Sequence, residues 1–427
     1  MEIEAMSRVL VSLVSEQPIP NILAIHHFKP DELLFISTQK MEAQGKTSSI
    51  LETLKLLELG DYQKDNKLHK ILVQEDSILD CYQRLDKWIN EWINKSGKGK
   101  EKVEFVVNLT CGTKIMSFAA YEFFRDYNNK MIYVPIPKNE FIVPFPKKSA
   151  GQPTALDLRL KAIEYLTAYS LKVLNKKLDT CRQEAKERKE LSKWMVENYN
   201  QIENLLRWLY SKLGNHRNKK NFELTDTFDN PTQEEREFLG RFGFSLSNEE
   251  GSQRLTISKE LTKSQIRYLT GGWLEEYCFN SLLELHEQGF IDDVQIGLHL
   301  EKSHEQESDY DQGQLSRQPG QPEGKSGCRQ AAEGQKSNNE NEYDCLFTKD
   351  NALYFVECKS LPQDKGETKS TLYKIEALQQ NFGLKVKSFL ATASPPSEDL
   401  AKRFKPEIIS RSELGQLKEK IAQKIRA

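Results

Sequence analysis

Residues 341–360 read NEYDCLFTKDNALYFVECKS, two apolar runs joined by the pair Asp350-Asn351. Asp and Asn between such runs are hairpin-turn chemistry, because their side chains bond local backbone and tolerate left-handed φ. A turn centred on this pair sets Asp344 directly across from Glu357, and opposed residues of an antiparallel pair share a face. The strand period of two then puts Lys359 on the face of Glu357. Two carboxylates this close repel unless a proton or a cation bridges them. Hard oxygen ligands suit Mg2+ or Mn2+, which keep several waters and complete their shell with phosphate. Such an ion acidifies a bound water and stabilises charge developing on phosphorus. Lys359 is then placed to position or activate that water, or to neutralise the transition state. The metal set read from this stretch is Asp344, Glu357 and Cys358, the last through its backbone carbonyl. A solvated edge strand with an incidental Glu-Lys pair is the competing reading. Against it, residues 353–356 (LYFV) are continuously apolar, and charges ending a buried strand are rare without a role.

Outward from the hairpin, the spacing predicts a helix over 273–288, a strand over 294–300, a helix over 369–382, a strand over 387–391 and an amphipathic helix over 412–425. The tract 301–341 is rich in Gln, Gly, Ser, Asn and Glu and nearly lacks large apolar residues. It cannot bury enough to offset its ordering entropy, so it reads as a disordered insertion. Toward the N-terminus, 156–178 and 186–213 are charged amphipathic patterns long enough for bridging helices. The segment 221–262 is mixed, with a small strand-and-helix unit expected around 254–257 (RLTI).

The first 150 residues alternate short apolar runs (9–14, 33–37, 70–73, 103–109, 131–136) with helical patterns (48–59, 78–93, 113–127). Near-continuous apolar strands separated by helices indicate a parallel sheet covered on both faces, a Rossmann-like α/β domain. In such sheets ligands sit at the carboxyl ends of the strands. One of those ends carries Thr110, Cys111, Gly112, Thr113 and Lys114, leading into a helix. Free amides at a helix N-terminus bind anions, and glycine lets backbone approach a phosphate. The loops 12–21 (SLVSEQPIPN) and 37–40 (STQK) lie at the same edge. The candidate ligand contacts are therefore Ser12, Gln17, Pro18, Asn21, Thr38, Thr110, Gly112, Thr113 and Lys114. The loop is neither a Walker A motif nor GxGxxG, so ATP hydrolysis and ordinary dinucleotide binding are not indicated. A capped helix without a ligand fits these residues equally well.

With 427 residues, the chain divides into 1–150 (the Rossmann-like part), 151–264 (helical and mixed connector) and 265–427 (the part that carries the hairpin). Its 61 basic and 63 acidic side chains give a net charge of −2, which argues against coating nucleic acid through bulk charge but leaves room for a basic groove. No secretory signal or membrane span is expected. The seven scattered cysteines form no CxxC pair, which speaks against zinc and disulfides and for a cytoplasmic protein with reduced thiols.

The Asp344, Glu357 and Lys359 pattern resembles the PD-(D/E)XK nuclease superfamily. There a helix glutamate precedes the Asp, and 271–276 (GGWLEE) is similar to that helix, with Glu275 as its acidic residue. Lys374, in the helix after the hairpin, is read as an ordinary cationic helix residue, with an approach to the scissile phosphate as the alternative. The strand-TCGTK-helix arrangement, with the early LVSEQPIPN loop, resembles the CARF sensor domain of type III CRISPR accessory proteins. The order of the two resembles CARF–nuclease fusions, which have a shorter connection where 301–341 stands here. The resemblance implies a homodimer that binds a cyclic oligoadenylate, cyclic tetra-adenylate by expectation, across its two-fold axis. It implies that helices of 154–213 carry the change to the catalytic domain, which cuts DNA, RNA or both nonspecifically with Mn2+ or Mg2+. Two other readings stay open: a ligand-sensing regulator that binds DNA without cutting, and a restriction or repair nuclease needing no ligand.

Overall fold

The structure is a computed structural model describing residues 6–96, 103–135, 138–145, 151–175, 177–248, 253–302, 341–361, 365–379, 382–383, 386–393 and 403–426. Apart from its ends, the expected insertion 301–341 lies outside the described residues. Among the described residues no helix is long and apolar enough to cross a membrane.

The N-terminal sheet is built from β1 (Ser7–Leu13), β2 (Glu32–Ser37), β3 (Leu68–Leu72), β4 (Val103–Asn108), β5 (Asn129–Tyr133), β6 (Glu140–Phe145) and β7 (Thr154–Ala155), in the order β3-β2-β1-β4-β5-β6-β7. Neighbours from β3 to β5 are parallel, while β6 and β7 close the edge antiparallel. Helices α1 (Ile19–Phe28), α2 (Gln39–Ala43) and α3 (Lys46–Leu56) cover one face, and α4 (Ile78–Ser96) and α5 (Lys114–Phe124) the other. Side chains of β1 alternate accordingly: Leu10 packs with Ile22, Ile50 and Leu54, whereas Val9, Val11 and Leu13 pack with Leu85, Ile89 and Met116. The chain order reverses direction at β1 and β4, so their carboxyl ends form a switch-point crevice.

The expected helix over 156–178 is broken. It is α6 (Ala162–Ala168), after which Ser170 takes a φ of 65° and the chain turns into strand β8 (Leu171–Val173). Then follow α7 (Leu178–Glu187), α8 (Lys189–Glu197) and α9 (Tyr199–Leu213). Residues 221–262 make a small sheet, β9 (Asn221–Asp229), β10 (Ser245–Asn248) and β11 (Arg254–Thr262), ordered β10-β11-β9, with α10 (Gln233–Arg241). Helix α11 (Lys263–Arg267) leads to α12 (Trp273–Glu287).

The second sheet is ordered β16-β15-β14-β13-β12-β8, with β12 (Asp293–Lys302), β13 (Asn341–Lys349), β14 (Ala352–Lys359), β15 (Val386–Thr392) and β16 (Glu407–Ser410). Helices α13 (Lys365–Gln379) and α14 (Leu417–Arg426) complete it. One face, with Leu346, Leu353 and Phe355, shares a buried cluster with Leu33 and Phe35 of the first sheet and with Tyr165 of α6. The other face, with Phe347, Tyr354 and Val356, packs on Trp273, Leu274 and Phe279 of α12. The sensor sheet and the hairpin sheet are therefore joined through one apolar core.

A break in the pleat aims Asp344. In β12, Ile296 faces the α12 side and Leu298 the shared core, and in β13 Cys345 and Tyr343 divide the same way. Between the pairs Ile296–Cys345 and Leu298–Tyr343 stand Gly297 and Asp344, and Gly297 has a φ of 62°. Residues two apart share a face only while the backbone stays extended, so the left-handed glycine turns both strands over. A Cβ on Gly297 would meet nothing within 4 Å, so substitution there tests backbone strain alone. Gly297→Ala should destabilise the protein by about 1–2 kcal/mol in urea unfolding, and Gly297→Asn by less. An unchanged midpoint for Gly297→Ala would show that the twist does not depend on the glycine.

Candidate active site and sensor rim

The hairpin turn forms as its sequence requires. Asp350 and Asn351 have φ of 51° and 59°, the left-handed pair that matches strand twist. Cys345 pairs with Val356 and Leu346 with Phe355, which carries Asp344 to the level of Glu357. The amide of Cys358 donates to Asp344 Oδ2 at 2.6 Å. Lys359 Nζ lies 2.8 Å from Glu357 Oε1, and Lys374 Nζ of α13 approaches the same oxygen at 3.5 Å. Of the two readings of Lys374, the contact with Glu357 favours the one that brings it to the site from α13.

Glu275 arrives from the other layer. Before α12 the chain makes a tight turn in which Gly271 has a φ of 133°, and a Cβ there would lie 2.9 Å from Ser360 Oγ. Only glycine lets the helix start so close to the end of β14. Glu275 and Glu276 sit in the first turn of α12 but part ways. Glu276 is buried and held by Arg188, whose Nε donates to it at 2.9 Å. Glu275 instead lines a 460 Å³ cavity with Asp344, Glu357, Lys359 and Lys374.

The cavity is electrostatically poised. Burial, reinforced by neighbouring groups including Glu342 and Glu357 and opposed by Arg217, pushes Glu275 up from an ordinary 4.5 to about 8. Burial, then Glu357 and Glu275, raises Asp344 well above its usual range. Burial would lower Lys359, but Glu357 and Asp344 outweigh it and hold the ammonium above its ordinary value. Glu357 Oε2 is buried and has no hydrogen-bond partner. An orphaned carboxylate oxygen beside two crowded carboxylates is a fit for a divalent cation. Among the described residues no three His, Cys, Asp or Glu side chains form a ready metal cage. The donors thus suit an ion such as Mg2+ or Mn2+ that keeps waters and takes oxygen from phosphate. Cys358 reaches the site by its backbone; its thiol lies with those of Cys278 and Cys345, both pushed far up by burial and by hydrogen bonding to it.

At the sensor's strand ends the candidate residues fall into two groups. Ser12 is fully buried, and Asn21 Nδ2 donates to the Leu13 carbonyl at 2.9 Å. Asn108 joins Asn21 at 3.0 Å and accepts from the Thr110 hydroxyl at 2.6 Å, which in turn accepts from Val134 N at 2.7 Å. Thr38 caps α2, accepting from Met41 N. Thr113 caps α5, and its hydroxyl donates to the Glu75 carbonyl at 2.7 Å. Pro18 is buried at the start of α1. These residues shape the rim, and apart from the Ser12 hydroxyl, which is buried without a hydrogen-bond partner, their polar groups are already engaged. Gly112 (φ 76°) passes so close to Leu13 that a Cβ would lie 3.0 Å from its Cβ. Lys114 is exposed, and Gln17 reaches inward, its Oε1 accepting from Tyr169 OH at 2.9 Å.

Sequence reasoning missed Arg217, Tyr210, Glu342 and Glu367, which also line the catalytic cavity. The first two come from the connector, where the run HRNKK (216–220) was an available signal.

The crowding of carboxylates has a thermodynamic consequence. Glu275 has a raised folded pKa, so its contribution to metal-free stability is complete below about pH 4.5 and is lost as the pH rises toward about 8. A cation needs the deprotonated carboxylates. The rise in Tm produced by saturating Mn2+ should therefore grow between about pH 5 and about pH 8, and a flat increment would contradict the site.

Two family models match separate parts of the chain. A family model described as the Card1 CARF domain matches residues 9–165, and one described as the Card1-like endonuclease domain matches 326–427. No curated protein sequence matches the chain. The fold is similar to protein VC1899 from Vibrio cholerae, with a TM-score of 0.70 and 17% identity over 98% of both chains. It is also similar to Can2 from Sulfobacillus thermosulfidooxidans, solved with cyclic tetra-adenylate, with a TM-score of 0.69 and 19% identity over 98% of this chain and 100% of that one. The chain thus carries a Card1-type CARF domain followed by a Card1-like endonuclease domain.

Proposed function

We propose that this protein is a metal-dependent nuclease of type III CRISPR defence, of the PD-(D/E)XK kind, switched on by a cyclic oligoadenylate. The observation that carries the reading is the cavity in which Asp344, Glu357 and Lys359 converge below a CARF domain. The activator is expected to be cyclic tetra-adenylate, the ligand solved with the similar Can2, bound across two sensor domains of a homodimer. Lys114 and the backbone at Gly112–Thr113 would meet its phosphates, while Ser12, Pro18, Asn21, Thr38 and Thr110 hold the rim that presents them.

Asp344 and Glu357 would hold Mn2+ or Mg2+, with the Cys358 carbonyl. When bound, that ion supplies an acidified water and neutralises charge on the phosphoryl group. Lys359 is kept protonated by the two carboxylates, so its part is to stabilise the negative transition state rather than to remove a proton. Lys374 adds a second cation on the same side. Glu275, held largely protonated near neutral pH in the metal-free site, donates or receives a hydrogen bond at the water or phosphate as its charge changes.

The sensor can act on this site because the two share contacts. The tip of the catalytic hairpin is bonded to residues 139 and 158–160, and Gln17 of the sensor loop is bonded to Tyr169. A ligand shifts such a system only to the extent that it prefers the competent state.

The test is cleavage of labelled DNA and RNA, with and without cyclic tetra-adenylate, in Mg2+ and in Mn2+. The wild type should cut only with the ligand. Glu357→Gln should lose at least about a hundredfold in rate while binding the ligand unchanged, as expected when a transition-state group is removed. Full activity of Glu357→Gln would overturn the site. Ligand binding with no cutting in any metal would instead favour a regulator that binds DNA.

A further inference from the structure

Helix α9 ends in a tight turn, Gly214–His216, and the chain then runs through Arg217, Lys219 and Lys220 into β9. This corner is braced from behind. The His216 ring stacks on Phe222 at 4.0 Å, Lys219 Nζ lies 5.1 Å over the same ring, and Lys219 N donates to the His216 carbonyl at 2.9 Å. Arg217 is exposed and makes no ion pair or side-chain hydrogen bond among the described residues, yet it lines the catalytic cavity. Tyr210, one turn earlier on α9, lines the same cavity and is 44% exposed.

An arginine that served the fold would be paired or packed, as Arg188 is with Glu276. This one is exposed and lines a cavity whose carboxylates suit a cation and which Lys359 and Lys374 also line. With a cation held by Asp344 and Glu357, the cavity also presents three cationic side chains, Arg217, Lys359 and Lys374, that can meet phosphate. The planar fork of a guanidinium matches a phosphodiester's oxygens, and an exposed aromatic beside it offers a face to a base.

We propose that Arg217 binds a backbone phosphate of the nucleic acid, next to the bond that is cut, and that the α9–β9 corner is the substrate-holding jaw of the nuclease, with Tyr210 stacking on a base. This rests on the nuclease reading given above. It gives the connector a part in the active site rather than only in transmission.

The test pairs kinetics with salt-dependent binding. In ligand-activated protein, Arg217→Ala should raise KM for a labelled oligonucleotide about tenfold and leave kcat within about twofold, the pattern of lost uniform binding. Arg217→Lys should recover part of the loss. In the Glu357→Gln background, where the strand stays intact, Arg217→Ala should reduce the slope of log Kd against log salt by about 0.7–0.9, the value for one phosphate contact. Cyclic tetra-adenylate binding should not change. A lowered Tm and kcat with KM and slope intact would mean a structural role and would overturn the assignment. If the wild type fails to cut but the slope still falls, the phosphate contact stands and only the nuclease reading fails.

Discussion

The side-chain amide of Asn351 donates to Asn139 Oδ1 at 2.7 Å and to the Leu158 carbonyl at 2.9 Å, and its oxygen accepts from Leu160 N at 2.8 Å. Beside it, Asp350 takes an ion pair from Arg159 at 3.2 Å. These bonds fasten the tip of the catalytic hairpin to the end of the sensor domain. The same two residues, by their left-handed backbone, fix the register that places Asp344 at the level of Glu357. One turn therefore sets the geometry of the carboxylates and ties it to the CARF half of the chain. A slip of one residue would flip every hairpin side chain to the other face and send Asp344 and Glu357 into apolar surroundings.

Packing and charge pull in opposite directions here. The shared core, with Phe35, Tyr165, Leu346 and Phe355, makes the two sheets one body, so a displacement at the sensor's strand ends is not absorbed by a loose joint. The candidate active-site cavity is the opposite case: it gathers Glu275, Asp344 and Lys359 where burial penalises their charge. Crowding of this kind costs local stability, which a bound cation with substrate phosphate would restore. Such sites are expected where function overrides local consistency.

The hairpin was legible because turn chemistry and strand period are both local: Asp350-Asn351 and the LYFV run suffice. Glu275 was reachable only through family resemblance, since nothing in GGWLEE alone separates it from Glu276, which the fold assigns to Arg188. Other features depend on partners distant in sequence. Helix α1 was overlooked because it is buried nearly all round, which erases the 3.6-residue period. Strand β6 contains Pro144 and sits near the sheet's edge, where proline is tolerated but hides the strand pattern. Strand β8, only three residues long, exists because β12 is there to pair with it. The sensor loops were located correctly in the fold, yet Thr110, Thr113 and Asn21 proved to be committed to neighbours. Their polarity gave no sign of which bonds were already taken.

The coupling between turn and cavity is tested most directly by amide hydrogen exchange on the Glu357→Gln protein, with and without cyclic tetra-adenylate. The account predicts that the ligand changes exchange at the sensor's strand ends, at residues 158–160 and 350–351, and along β14 to Lys359. Changes confined to the sensor sheet, with the hairpin amides exchanging as before, would contradict it.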